Sequence, residues 1–373
     1  MLATHRSALL QSLTHTIADY RQIEIASITP SHVEKWLNQF DVDDQPIILA
    51  EMDSLMKRFY FSRDRVKRCL RNFLRYDVLA AHSPRTILSH ICFLPIQKTG
   101  NSQKVLLNMV DEILHEDYGC SLAMCGVAHA DIYIYIDDSI NTGSRLRYDL
   151  TDGAEAVSWI SKKAPSKCML IVYHIAVHLE GMNYVERYIL PAAGEKGITI
   201  IRRHSLMIDN NRYFGTKAEV LWPEEISDDS DVTSYVSRMR LTLAQRNWRS
   251  DNLFRYIGIP QHETLFSSPQ ARRIVEKAFL KKGIHIITAC RNPAESIRPL
   301  GFMKIGSLGF GTFFVTFCNI ANNCPLVLWW GDPSTPASHP FRQWYPLFPR
   351  RTNSQKIAAL DDVASNSLPF GGK

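Results

Sequence analysis

The feature that most constrains this chain is the stretch YIYIDDSINTGSR, residues 133–145. Ile132, Tyr133, Ile134, Tyr135 and Ile136 are β-branched or aromatic without a break, a composition that suits a buried parallel strand. From Ser144 the apolar residues Leu146, Leu150, Ala154, Val157 and Ile160 recur at helical spacing. The spacing predicts strand, turn and helix, with Asp137 and Asp138 at the carboxyl end of the strand. In open α/β sheets that edge is where ligands bind.

The turn has the chemistry of a phosphate site beside a diol site. Gly143 permits a tight turn and a close backbone approach. The amides from Asn141 to Arg145 lie at an expected helix N-terminus, which favours anions, and Thr142 and Ser144 add hydroxyl donors. Two carboxylates repel a phosphate but accept hydrogen bonds from vicinal hydroxyls. Anion donors next to paired acceptors describe a ribose 5-phosphate.

From His90 onward, strands and helices alternate. Strands are expected over 90–96, 121–128, 131–136, 168–175 and 197–203, and helices over 104–116, 145–163 and 182–193. This rhythm predicts an α/β domain with a mostly parallel sheet and helices on both faces. The first strand runs into QKTGNSQK, residues 97–104. There Lys98, Thr99, Gly100 and Ser102 precede a helix and suggest a second anion site.

Residues 1–89 read as helical, with helices near 5–20, 30–40, 46–60 and 62–76. Pro30 and Pro46 suit first-turn positions, and Ser62 suits an N-cap. Between Lys57 and Arg75 stand eight Lys or Arg and one acid, a local +7 in a chain whose net charge is +6. Arg63, Arg65, Lys67, Arg68, Arg71 and Arg75 make up most of that patch. It fits a solvated helix face, an acidic protein partner, or a winged-helix-like unit meeting nucleic-acid phosphates. Farther along, GIHIITA (283–289), TFFVTF (312–317) and PLVLWW (325–330) read as strands, so an aromatic-rich β-element is expected near the C-terminus. Residues 351–373 read as a mobile tail. The eight cysteines are scattered and no secretory pattern is visible, which points to reduced thiols in a cytoplasm. His174 and His178 lack the glutamate of a zinc-protease motif and read as packing or loop residues; no metal-ligand set is assigned.

The 133–145 stretch resembles the phosphoribosyl-pyrophosphate loop of type I phosphoribosyltransferases: apolar residues, two acids, a spacer, then Thr-Gly. More widely, VEKWLNQF, QKTGNSQ, IDDSINTGS and the terminal RPLGF, NNCPLVLWWG and WYPLFPRR resemble the conflict-system phosphoribosyltransferases. In that group a winged-helix-like segment precedes the core, and members are associated with anti-phage defence, including retron systems with a reverse transcriptase. The resemblance implies a helical domain over 1–89 and a phosphoribosyltransferase-like domain over 90–350 that includes the β-element. It implies phosphoribosyl pyrophosphate with Mg²⁺ as donor. Asp137, Asp138 and Lys98 are then the catalytic positions. Thr99, Gly100, Ser102, Asn141, Thr142, Gly143, Ser144 and Arg145 bind the donor. A nucleic acid or a reverse-transcriptase nucleoprotein would dock on residues 57–75. Asn141 departs from the purine-type pattern, where an acid stands, so the acceptor is left open. The alternative is a non-catalytic regulator that senses phosphoribosyl pyrophosphate or a nucleotide and binds nucleic acid.

Overall fold

The computed structural model describes residues 3–22, 25, 27–79, 83–97, 102–127, 130–152, 158–212, 216–248, 250, 253–290, 293–303, 306–332, 335 and 339–350. The tail expectation for 351–373 lies outside the described residues. In chain order the helices and strands begin with α1 (Ala3–Thr16), α2 (Pro30–Leu37), α3 (Gln45–Phe59), the short β1 (Tyr60–Phe61), α4 (Arg63–Phe73) and α5 (Pro84–Leu88). Next come β2 (Ile91–Phe93), α6 (Ser102–Tyr118), β3 (Ile132–Ile140), α7 (Ser144–Arg147), β4 (Met169–His178), α8 (Leu179–Glu195) and β5 (Thr199–Ile208). The chain closes with α9 (Ser230–Gln245), α10 (Pro269–Thr288), β6 (Val315–Thr316), β7 (Asn319–Ile320) and α11 (Leu326–Trp329).

Two compact units result: Met1–Tyr60 with Arg212–Lys373, and Phe61–Asn211. These differ from the division expected at residues 89 and 90. The reason lies in α4, whose Val66, Leu70 and Phe73 form a buried stripe. Phe73 stacks on Tyr173 of β4, with ring centroids 4.3 Å apart. The basic helix is therefore part of the sheet-bearing unit.

In that unit β2, β3, β4 and β5 lie side by side in chain order, all parallel. Val172 packs into an apolar cluster with Tyr135, Leu150, Val185 and Ile189, whereas its neighbour Tyr173 meets Phe73. Adjacent strand residues point to opposite faces, so helices cover both sides and the fold is α/β as expected. Strand β3 runs four residues past Ile136. Asp137 is in register with His174 inside the ladder, three positions short of the strand's last residue.

In the helical unit the C-terminal aromatics fill the core. Trp36 and Trp344 both donate to the Val327 carbonyl, each at 2.8 Å, and Phe40 stacks on Phe279. The Pro30 and Pro46 placements and the Ser62 cap are found: the Ser62 hydroxyl accepts from the Arg65 amide at 3.2 Å.

Five expectations are corrected. GIHIITA continues α10, because Ile284 and Ile287 extend the buried stripe of Val275, Phe279 and Leu280; Gly283 is where the Pro299 backbone approaches. Within PLVLWW, residues 326–329 form a helical turn, an ambiguity that a fully buried apolar run does not resolve by period. Among the described residues of the C-terminal block, antiparallel pairing is confined to β6 and β7. Residues 122–124 form a 3₁₀ turn, not a strand, with the Leu122 amide donating to Asp111 Oδ1 at 2.7 Å. The long helix expected over 145–163 is interrupted as well: α7 gives way to π turns at Tyr148–Asp152 and Trp159–Lys163. There Thr151 Oγ1 donates to the Arg147 carbonyl, a bond that competes with the helical ladder.

Candidate functional site

Asp137 is buried, with 5 % of its surface exposed. Its Oδ1 accepts from Ser102 Oγ at 2.8 Å and from the Asp138 amide at 2.8 Å, and its Oδ2 accepts from Gln97 Nε2 at 2.6 Å. Gln97 Nε2 also lies 2.9 Å from the Tyr135 hydroxyl, which donates to Asp149 Oδ2 at 2.8 Å. Gln103 secures the same corner: its Oε1 accepts from the Gln97 amide and its Nε2 donates to the Ile136 carbonyl.

Two carboxylates thus share an interior held by neutral donors. Burial pushes Asp137 above the usual carboxylate range, against the hydrogen bonds from Ser102 and Gln97. Burial raises Asp149 as well, opposed by the Tyr135 hydrogen bond. Burial drives the Tyr135 phenol well above its ordinary value, and both acids add to that. His174 stands against Tyr135 with ring centroids 5.7 Å apart, and its Nδ1 is buried with no hydrogen-bond partner among the described residues. Burial lowers it to about 3. His178 is lowered to about 4 by burial, with Nδ1 against the Ile140 carbonyl at 2.9 Å. Both are neutral packing residues at pH 7.

Asp138 is also buried, at 6 % exposure. The turn beyond it opens outward. Ser144 and Arg145 are exposed and Thr142 is half-buried, with the Thr142 and Ser144 hydroxyls 3.2 Å apart. Gly143 is left-handed at φ 81°. Its need for glycine is internal: a Cβ there would run into the Gly181 carbonyl oxygen of α8, and a Cβ on Gly181 would strike the Asn141 carbonyl. The left-handed backbone fits the tight turn expected at Gly143, and the close approach seen here is that of α8. The paired glycines seat the turn on α8.

The structure brings Ser102, Asp137, Asp138 and the 141–145 turn into one region. Lys98, Thr99 and Gly100 lie outside the described residues. Sequence reasoning missed Gln97, Tyr135 and Asp149. A visible signal existed for Gln97, a polar residue ending the apolar run ICFLPI.

The basic helix has partners within its own unit. Arg63 pairs with Glu112 at 2.7 Å, Lys67 with Glu116 at 2.6 Å, and Arg71 with Asp117 at 2.6 Å, all on α6. Arg65 lies over the Phe61 ring and Arg75 over Tyr76; Arg68 and Arg75 are exposed. The local +7 was counted along the sequence, and the acids that offset it stand some 45 residues away in space-filling contact.

The family model described as PRTase-CE matches residues 33–350. The chain belongs to the PRTase-CE family. This is a phosphoribosyltransferase-like family, and the four-stranded parallel sheet flanked by helices agrees with such a fold. No curated protein and no solved structure matches the chain significantly. Among the described residues no helix is long and apolar enough to cross a membrane.

Proposed function

We propose that the sheet unit binds a phosphoribosyl-pyrophosphate donor with Mg²⁺ and transfers its ribose 5-phosphate to an acceptor. One observation carries the reading: an acidic pair in a parallel strand leads directly into an outward turn bearing two hydroxyls and a guanidinium. In this reading Thr142, Ser144 and Arg145 hold the 5-phosphate, fixing the donor's position. The acidic pair serves the ribose, and Lys98, Thr99 and Gly100 serve the pyrophosphate. The acceptor bonds to the anomeric carbon as the C–O bond to pyrophosphate breaks. Positive charge develops on the ribose ring, and nearby carboxylates favour it.

Mg²⁺ takes oxygen ligands and keeps several waters, so it is commonly held through substrate phosphates. The Asp138 carboxylate and the turn hydroxyls are oxygen donors that fit a cation held in this way. When bound, the cation offsets the negative charge of the pyrophosphate.

The similarity to conflict-system phosphoribosyltransferases supports a role as an anti-phage defence effector, checked by phage plating on cells carrying wild type or Asp138→Asn. The direct test is titration of phosphoribosyl pyrophosphate with Mg²⁺ into the full chain, joined to a pyrophosphate-release assay. We expect binding that Arg145→Glu weakens about tenfold or more. Binding without release under all acceptors offered assigns a donor-sensing role instead. A wild-type protein that binds no donor overturns the reading.

A further inference from the structure

We propose that α7 and the solvent side of α8 form a binding platform for single-stranded nucleic acid, with bases stacked on its tyrosines and phosphates held by Arg145 and Arg187. The proposal does not rest on the donor reading above, and it concerns a surface other than the basic helix α4.

The platform is built around Arg147. Its Nη1 donates to the Tyr184 hydroxyl at 2.6 Å, and its guanidinium centre lies 3.5 Å from the Tyr188 ring centroid, well inside cation–π range. The two rings stand on successive turns of α8, with centroids 5.2 Å apart. One cation of α7 thus fixes two aromatics of α8. The rings are ordered before any ligand arrives, which lowers the cost of binding. The assembly abuts the 142–145 turn, since a Cβ on Gly143 would come within 3.2 Å of the Tyr184 ring. With Arg147 over it, Tyr188 is still 39 % exposed, and Tyr148 beside Arg147 is 44 % exposed.

Charge and composition select the occupant. Over residues 144–148 and 183–190 the exposed residues include Arg145 and Arg187 and no acid. Glu186 is half-buried and paired with Arg202 of β5, and Glu180 and Glu195 stand toward the two ends of α8. A protein interface has an apolar centre. Here rings alternate with guanidinium groups, and Leu190 is the one exposed aliphatic side chain in these segments. Every base has a π-face and every link of the strand a negative phosphate, so a single strand matches both features at once. A duplex keeps its base faces stacked inside and offers the arginines its phosphates alone. Base faces and phosphates are common to DNA and RNA, so the platform takes either.

Fluorescence anisotropy on the full chain tests this, with labelled oligodeoxythymidylate and oligouridylate of about twelve nucleotides at low and high salt. Wild type should bind the two strands within about threefold of each other, and a duplex of the same length about tenfold more weakly. Tyr188→Leu keeps apolar bulk but removes the ring, and should lower affinity about tenfold; Tyr188→Phe should stay within about threefold of wild type. Arg187→Glu should also lower affinity about tenfold and flatten the salt dependence. Arg187 is exposed, so this variant decides the matter if urea unfolding shows Tyr188→Leu to be misfolded. The α4 variant Arg68→Glu/Arg75→Glu locates the surface, and should still bind both strands. The inference is overturned if wild type binds neither strand, or if a folded Tyr188→Leu or Arg187→Glu binds like wild type. It is equally overturned if the duplex binds as tightly as the single strands, or if the α4 variant alone loses binding.

Discussion

Each unit of this protein buries carboxylates, and the two do so in opposite ways. In the helical unit Glu276, at 1 % exposure, lies between two arginines. Arg272 Nη1 donates to it at 2.9 Å and Arg255 Nη2 at 3.2 Å, while Glu263 and Glu224 take further bonds from the same guanidinium groups. Arg272 spends its remaining donors on the Ala218 and Val220 carbonyls. Every charge there has an opposite charge beside it. In the sheet unit Asp137 and Asp149 have an amide, a phenol, a hydroxyl and a backbone N–H; among the described residues no cation is in hydrogen-bond contact with them, and the Arg145 charge acts on both without such a bond. Compensated burial makes a fixed structural knot. Burial raises Glu276 as it raises Asp137 and Asp149, so the two networks differ in their hydrogen-bond partners and not in the direction of the shift.

The sharpest way to break this comparison is to remove one acid from each network. Glu276→Gln leaves two buried guanidinium groups short of a counter-charge, and we expect a loss of about 3–5 kcal/mol in urea unfolding. Asp137→Asn removes a charge that was already costly to bury, so its loss should stay under about 2 kcal/mol. Equal losses would mean that the two networks are alike and that Asp137 is a core group only.

The sheet unit positions its acids by backbone packing where the helical unit uses guanidinium groups. Gly143→Ala places a side chain at positive φ and against the Gly181 carbonyl. We expect a loss of about 2 kcal/mol or more, seen as a lowered unfolding midpoint without any ligand present. Ser144→Ala, at an exposed position, should change stability by no more than about 0.5 kcal/mol. If Gly143→Ala is as stable as wild type, the glycine is reserved for a ligand after all.

These contrasts show what was legible in the sequence and what was not. Strand β3, its acids and the turn were legible because they are consecutive: period, composition and Gly143 all report on one another locally. The partners of Asp137 were not, because Gln97 is 40 residues upstream and Asp149 is 12 downstream. The partners of the basic helix were not legible for the same reason, since a charge count along one segment omits the acids of α6. GIHIITA was misread because β-branched residues lower helix propensity only slightly, and burial along α10 outweighs that preference.

The neutral interior of the sheet unit has a pH signature. His174 and His178 titrate near 6.5 when unfolded and at about 3 and about 4 when folded. The stability gained by keeping them neutral is present above about pH 6.5 and is lost as pH falls toward those folded values. At pH 5 the loss is about 2 kcal/mol for each histidine. Asp137 and Asp149 act in the opposite sense, because their folded values are raised and acid relieves the cost of burying them. His174→Phe should therefore hold its stability at pH 7 and recover about 2 kcal/mol at pH 5 relative to wild type, measured by urea unfolding at both pH values. An unchanged pH profile would remove His174 from the account.

The smallest effects belong to the exposed ion pairs between α4 and α6, a third way of placing charge. Such pairs contribute about 0.2–1 kcal/mol each and are screened by salt. Reversal of Lys67 and Arg71 to Glu should lower stability by about 1–2 kcal/mol at low salt, and by less at high salt. A loss as large as that of Glu276→Gln would place these pairs with the buried network. Because the reversal also breaks bonds to Glu116 and Asp117, it cannot separate docking from packing. Arg68 and Arg75 can, since both are exposed on the same helical segment. Their reversal to Glu should leave stability within about 0.5 kcal/mol. If the helix docks on nucleic acid, the same double variant loses salt-sensitive binding to it while wild type retains it. If wild type shows no salt-sensitive binding, the charges of α4 serve the sheet unit alone.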